Sequence, residues 1–189
     1  MYIGLTGPNA AGKGEVAAYL KSKGFAYFSL SDILREGLLA QGKEPTRENL
    51  INYGNRLRKE FGPAVLAERI KARLNGKAVI DSIRNPEEIK QLRKLPGFTL
   101  WGVAAPIATR FKRAKLRKRI GDGDTLAKFK ALEKKERTND PAAQQLEKCM
   151  GLVDQVIVND ATKEKLKEKV ERTLIERPAW DEYFLKIAL

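Results

Sequence analysis

Gly7 and Gly12 enclose four residues, Lys13 follows at once, and this G-x-x-x-x-G-K spacing lies between a short apolar run, MYIGLT, and the helical periodicity of KGEVAAYL. Glycine reaches backbone angles denied to other residues and lets the chain approach a ligand closely. In a loop of this spacing the segment from Asn9 through Ala10, Ala11, Gly12, Lys13 and Gly14 to Glu15 turns its backbone N–H groups inward around a phosphate. Lysine brings a point charge to the outer phosphates, and the following helix adds its unpaired N–H groups and the positive end of its dipole. A glycine-rich turn that binds nothing is the competing reading; the strand before and the helix after argue against it. Strand, loop and helix in this order place the chain in the α/β class, as a three-layer P-loop domain with a central parallel sheet flanked by helices. Most such loops carry a Ser or Thr hydroxyl for magnesium after the lysine. Here Gly14 and Glu15 follow, and the Glu15 carboxylate is the candidate to hold the ion directly or through water.

A chain of 189 residues that is 42% apolar suits one compact domain with a sizeable core. No run approaches the ~20 apolar residues needed to cross a bilayer. The N-terminus reads as a strand and not as an export signal, so the expectation is a cytoplasmic protein without membrane contact. Cys149 stands alone and histidine is absent, which excludes an intrachain disulfide, the usual zinc sites and imidazole acid/base chemistry. A net charge of +13 calls for an anionic partner, either nucleotides and phosphates or nucleic acid.

Beyond the loop, EVAAYLKSKG is an amphipathic helix ended by Gly24, and Phe25 to Leu30 reads as a strand. SLSDILREGLLAQG is a helix that Ser31 or Asp32 can cap, with Asp32 and Arg35 on one face. The stretch from Thr46 to Leu74 reads as two helices broken at Gly62-Pro63, with Thr46 as cap and Leu50, Ile51 and Leu57 on one side of the first. Arg47, Asn55, Arg56 and Arg58 of this insert either line a movable acceptor-binding region or form a solvated face.

Ala78 to Ile80 is a buried strand, and Asp81 stands at its C-terminal end, where ligands of open parallel sheets collect. A carboxylate there holds magnesium, usually through water; the plainer reading is a helix cap. Arg84 comes three residues on, and Asn85-Pro86-Glu87-Glu88 opens the next helix. FTLWGVAA is another buried strand, and Pro106 starts a helix. RFKRAKLRKR then packs seven basic residues, Arg113 and Arg117 among them, into ten positions. Such a run gains from an anion arriving among its charges. A lid closing over a transferring phosphoryl group, a nucleic-acid contact and a solvated face would all use it. No row of aromatics accompanies it for bases to stack on, which disfavours nucleic acid.

GPNAAGKG, SLSDILRE, TRENL with GNRLRKEFGP, DSIRNPEE and VIVND, in this order, resemble the P-loop nucleotide kinase group. That group includes adenylate kinases, dephospho-CoA kinases and small archaeal kinase-like proteins with D-x-I-R-N-P-E-E. The resemblance implies ATP and Mg2+ as cofactors and phosphoryl transfer to a nucleotide-like acceptor, a nucleoside or deoxynucleoside monophosphate. It implies a domain over residues 1–176, with a helical acceptor-binding insertion at about 31–74 and a lid at about 110–140. Lys13 would then serve the β and γ phosphates, and Asp81 and Glu15 the metal. Ser29, Asp32 and Arg35 align with the S-T-G-D-M-L-R of adenylate kinases and Arg84 with D-G-F-P-R, one residue shorter here, which implies acceptor binding by Asp32, Arg35 and Arg84. Arg113 and Arg117 would meet the moving group, and Asn159, Asp160 and Ala161 would hold a loop against adenine. Glu15 departs from the group, which has Thr there.

The last residues, RPAWDEYFLKIAL, resemble the R-P-S-W-D-E-Y-F-M-x-I-A that opens deoxycytidylate deaminases. The H-x-E and P-C-x-x-C elements of that zinc chemistry are absent, so cytosine deamination by that mechanism is excluded for this chain. Residues 177–189 read as the start or remnant of a deaminase domain, or as an apolar helix stripe (Trp180, Tyr183, Phe184, Ile187) docked on the core. Three rivals to the kinase of nucleoside monophosphates follow: a catalytically weak (d)NTP-binding module regulating a deoxycytidylate deaminase in cis or in trans, a dephospho-CoA kinase, and a P-loop protein acting on nucleic acid.

Overall fold

The structure is a computed structural model that describes residues 1–117, 124–134 and 139–176. In chain order its elements are β1 (Tyr2–Thr6), α1 (Lys13–Ser22), β2 (Ala26–Ser29), α2 (Leu30–Leu39), α3 (Arg47–Phe61), α4 (Val65–Lys71) and β3 (Ala78–Asp81), followed by α5 (Pro86–Leu92), β4 (Phe98–Ala104), α6 (Ile107–Arg117), α7 (Leu126–Lys134), α8 (Leu146–Gly151), β5 (Gln155–Val158) and α9 (Lys163–Ile175). The strands form one sheet in the order β2-β3-β1-β4-β5, and every neighbouring pair is parallel. β1 runs down the middle, with Ile3 opposite Val79 on one side and Thr99 on the other. Parallel strands need crossovers over a face of the sheet, and both faces are covered.

Alternation of side chains along the strands divides the core in two. Ile3, Leu5, Val79, Trp101 and Val103 pack with Val16 and Leu20 of α1 and Leu166 and Val170 of α9. On the other face Ile80 and Leu100 meet Leu34 of α2, Leu57 of α3, Leu66 and Ile70 of α4, Ile89 and Leu92 of α5, and Cys149 of α8. The three-layer α/β architecture expected from the glycine loop is therefore present, and the C-terminal ends of β1, β3, β4 and β5 open toward one rim.

Local signals behave mostly as their chemistry requires. The Thr46 hydroxyl accepts the N–H of Asn49 at 3.2 Å and caps α3. Gly62, with a φ of 95°, ends that helix before Pro63. Asn85 and Glu88 form a reciprocal capping box on α5, with Pro86 in its first turn.

Three details differ from the sequence reading. β2 stops at Ser29 and α2 begins at Leu30, so Ser31 and Asp32 lie inside the first turn and neither caps it. Ser29 takes the capping position, but its hydroxyl is engaged by Ser31 and Ser82 and not by a backbone N–H. Pro106 precedes α6, its carbonyl accepting the N–H of Arg110, so the ring sits just outside the helix. The short helix α8 had no clear periodicity to announce it. Residues 177–189, where the deaminase resemblance falls, lie outside the described residues, as does part of the expected lid, 118–123 and 135–138.

Candidate functional site

The loop from β1 to α1 carries three residues at positive φ: Gly7 at 138°, Ala10 at 59° and Gly12 at 109°. Two of these glycines also answer to space. A Cβ on Gly7 would stand 2.2 Å from the carbonyl oxygen of Val103 in β4, and one on Gly12 2.1 Å from the Asn159 amide nitrogen. The loop is thus pressed against β4 and against the end of β5. Lys13, 9% exposed, donates from Nζ to the carbonyls of Gly7 at 2.7 Å and Pro8 at 3.1 Å. Its ammonium is held at the mouth of the loop.

The far end of the sheet and α6 complete this half. Asn159 is buried at the end of β5; its amide donates to Ala11 O at 2.9 Å, and its backbone N–H to Ala104 O at 2.7 Å. Arg113 donates to Asn159 O at 3.2 Å and to Asn159 Oδ1 at 3.3 Å. Arg117 donates to Asn9 Oδ1 at 2.6 Å. Arg110 reaches Asn9 O at 3.3 Å and forms a buried pair with Glu133 of α7 at 2.6 Å. Positions 110, 113 and 117 lie three and four apart, so one face of α6 grips the phosphate loop.

The other half begins at Asp81, 7% exposed at the end of β3. Its carboxylate accepts the N–H of Ser82 and, at 3.4 Å, the hydroxyl of Tyr27. Burial, then the Asp81 carboxylate, pushes the Tyr27 phenol up to about 12. Ser82 has a φ of 67°, a left-handed conformation that an L side chain rarely adopts. Ser82 lies within hydrogen-bonding distance of Ser29 and Ser31, so a hydroxyl cluster joins the start of α2 to the end of β3. Arg35 donates to Asp32 and to the Ser31 hydroxyl. Arg58 of α3 and Glu88 of α5 form an ion pair whose side chains are 1% and 0% exposed. Glu88 Oε1 accepts from Arg58 at 2.7 and 3.0 Å, and Oε2 accepts the N–H groups of Arg84 and Asn85.

One cavity of about 510 Å³ joins the two halves. Of the residues singled out in the sequence it is lined by Asn9, Ala10, Gly12, Lys13, Gly14, Glu15, Arg35, Asp81, Arg84, Arg113, Arg117, Asn159 and Ala161, and of the four insert residues by Arg47 and Arg58 but not Asn55 or Arg56. Gly7 and Ala11 lie behind the loop surface, buried. Asp32 is outside the lining and reaches the cavity only through its bond to Arg35. Asp160 is exposed and held by Lys169 at 3.0 Å, whose hydrogen bond holds its carboxyl below the ordinary range. Glu15 is paired with Lys163 at 2.9 Å, at the cavity's edge.

The lining also includes groups that the sequence did not single out, chiefly Gln144, Ser82, Tyr27 and Lys163. Lys163 begins α9, where the cap of Thr162 was a usable signal; nothing in the sequence marked Gln144. Eight basic and two acidic residues line the space, so it suits polyanions. No group of three or more potential metal-ligating side chains occurs among the described residues. A lone carboxylate at Asp81 still fits magnesium, which is commonly bound by one or two carboxylates with phosphate oxygens and water. No helix of the described residues is long and apolar enough to cross a membrane.

Sheet order, loop geometry and the buried lysine define an α/β domain of the P-loop fold. No protein-family model matches the chain. It is 32% identical over 178 residues to a UPF0200 protein of Sulfurisphaera tokodaii, an alignment that takes in 91% of this chain and 94% of that one. The chain belongs to the UPF0200 family. Among solved structures, TT1252 from Thermus thermophilus superposes with a TM-score of 0.59 at 22% identity, over 95% of this chain and 98% of that one. A shikimate kinase from Bacteroides thetaiotaomicron also gives 0.59, at 15% identity over 93% and 98%. At these identities the likeness is one of fold.

Proposed function

We propose that this protein transfers the terminal phosphoryl group of ATP to a nucleoside or deoxynucleoside monophosphate. The observation that carries the reading is a basic cavity in which the phosphate loop shares one space with a second chamber containing Arg35, Arg47, Arg58 and Arg84. A triphosphate in the loop would draw the Lys13 ammonium from the Gly7 and Pro8 carbonyls to its outer phosphates. Arg113, expected from the resemblance to meet the moving group, is instead held beside Asn159 and so supplies a flat cation for the nucleotide's base, while Arg117 stands over the loop at Asn9. The acceptor phosphate binds toward Arg35 and Arg84. One of its oxygens forms the new bond to the γ-phosphorus while the bond to the β-γ bridging oxygen breaks, leaving ADP with that electron pair. Both acceptor and leaving group are anionic, so no general base is required, in keeping with a chain that lacks histidine. Positioning and charge stabilisation are what such a transfer asks of the protein. Magnesium, held through Asp81, would neutralise charge on the phosphate oxygens. In this scheme residues from about 31 to 74 serve as the acceptor region, and the described residues between about 110 and 140 belong to the lid.

The test is a coupled assay with ATP, Mg2+ and a panel of nucleoside monophosphates, dephospho-CoA and shikimate. At least one monophosphate is expected to turn over, and Lys13→Ala should lower kcat/KM by about a hundredfold or more. ATP binding without turnover of any acceptor overturns the transferase reading. Glu15, paired with Lys163 and standing where the resembled kinases have Thr, favours a second reading: a (d)NTP-binding regulatory module. That module would bind the triphosphate and leave it intact.

A further inference from the structure

Among the buried polar atoms that have no hydrogen-bond partner among the described residues are Arg58 Nη1 and Gln144 Oε1. Both residues line the cavity and are only 2% and 5% exposed. Native interiors rarely leave such atoms unpaired, because a buried donor or acceptor without a partner has lost its water for nothing. Neither is loosely placed. Glu88 grips Arg58 through Nε and Nη2, which leaves Nη1 as the guanidinium's spare edge. Gln144 sits between two anchored neighbours: Ala143 O accepts from the Asn85 amide at 2.9 Å, and Gln145 N donates to Arg84 O at 2.8 Å. Residues 84–88 therefore hold both groups in position, one through Glu88 and the other through Arg84 and Asn85.

Beside the arginines that would take the acceptor phosphate, the chamber wall carries an apolar stretch formed by Leu30, Leu34, Leu50, Ile51 and Leu66. A polyol acceptor would turn hydroxyls against these side chains on every face. A flat heteroaromatic ring has the opposite character: apolar faces and one polar edge that pairs an acceptor atom with an N–H donor. Resting on the reading of a nucleoside monophosphate as acceptor, we propose that Arg58 and Gln144 form a base-reading subsite. Arg58 Nη1 donates to a ring nitrogen or carbonyl of the acceptor's nucleobase, Gln144 Oε1 accepts from its N–H, and the leucine and isoleucine walls enclose the ring.

Calorimetry tests this without relying on turnover. The protein, saturated with Mg2+ and a non-hydrolysable ATP analogue, is titrated with AMP, GMP, CMP, UMP and ribose 5-phosphate, which keeps sugar and phosphate but lacks the base. At least one monophosphate is expected to bind tenfold or more tightly than ribose 5-phosphate. Gln144→Leu, close in size and unable to accept a hydrogen bond, should shrink that advantage about tenfold, the worth of one buried hydrogen bond. Affinity for the ATP analogue should stay unchanged. Gln144→Met provides a second variant if the leucine disturbs folding. Equal binding of ribose 5-phosphate and every monophosphate, or an undiminished advantage in a folded Gln144 variant, overturns the base-reading subsite while leaving the phosphoryl acceptor intact. No binding of any monophosphate, with the ATP analogue bound, overturns the acceptor reading as well.

Discussion

Replacing Glu88 by glutamine changes one atom at the best-buried ion pair described in the protein, and the hydrogen-bond inventory says why that atom matters. Glu88 presents two oxygens to four donors: Nε and Nη2 of Arg58 at Oε1, and the backbone N–H groups of Arg84 and Asn85 at Oε2. An amide has one oxygen and one NH2, so either orientation sets donors against donors on one side. It also leaves the Arg58 charge without a counter-ion at a site where the two side chains are 1% and 0% exposed. Breaking one partner of such a pair costs about 3 kcal/mol. For a domain of this size that corresponds to a fall in Tm of about 6 to 12 °C. Urea unfolding followed by far-UV circular dichroism should show a lower midpoint with an unchanged slope. Arg58→Met should be costly alone for the mirror reason, a carboxylate left buried. The double variant Arg58→Met/Glu88→Gln removes both charges and frees the oxygen of the introduced amide for the N–H groups of Arg84 and Asn85. It should therefore be at least about 1 kcal/mol more stable than the sum of the single losses predicts. A Glu88→Gln loss below about 1 kcal/mol, or strict additivity in the double variant, would refute the claim that this pair is desolvated and mutually dependent.

Two further outcomes are expected. Gly7→Ala should cost about 3 kcal/mol and exceed Gly12→Ala in parallel melts, because the Gly7 methyl meets a backbone oxygen whereas the Gly12 methyl meets a side-chain amide that can yield by giving up its bond to Ala11 O; equal losses would contradict the observed packing. Cys149 is fully buried in the core, and burial followed by the Glu88 charge raises its thiol from 9.0 to about 12. It should therefore resist alkylation in the folded protein and react only as fast as the chain opens. Between pH 9 and about 12 the folded state keeps a proton that the unfolded state releases, so this thiol makes stability fall as pH rises through that window. A Cys149→Ala variant with an unaltered alkaline slope would show that the thiol has no such part.

The fold was legible because its signals are local. The glycine spacing with its flanking strand and helix, the Thr46 cap, the break at Gly62-Pro63 and the Asn85-Pro86-Glu87-Glu88 box each act over a few residues, and each stands where its chemistry predicts. Misplaced boundaries have equally local causes. Ser31 and Asp32 are good capping residues, but a chain leaving the edge strand β2 at the buried Ser29 turns helical as soon as Leu30 can enter the core, at 1% exposure. Burial decided the boundary there, and capping preference yielded.

The site was half legible, and the division follows the range over which its parts interact. The basic run beginning at Arg110 reads as undivided charge, yet helical spacing separates it: Arg110, Arg113 and Arg117 face the phosphate loop, while Lys112 and Lys115 are exposed on the opposite side. That signal was available to periodicity alone. The counter-ions were not. Arg58 finds Glu88 thirty residues away and Arg110 finds Glu133 twenty-three away, so a tally of basic residues overstates the charge that remains for ligands. Phe129 lies beneath this second pair, its ring 5.9 Å from the Arg110 guanidinium and 5.4 Å from that of Arg47 on the acceptor-side helix. Two cations on one buried ring tie α7 at once to the phosphate-loop side and to α3. Shortening that side chain should therefore loosen both halves together, which a pairing within either half alone would not do.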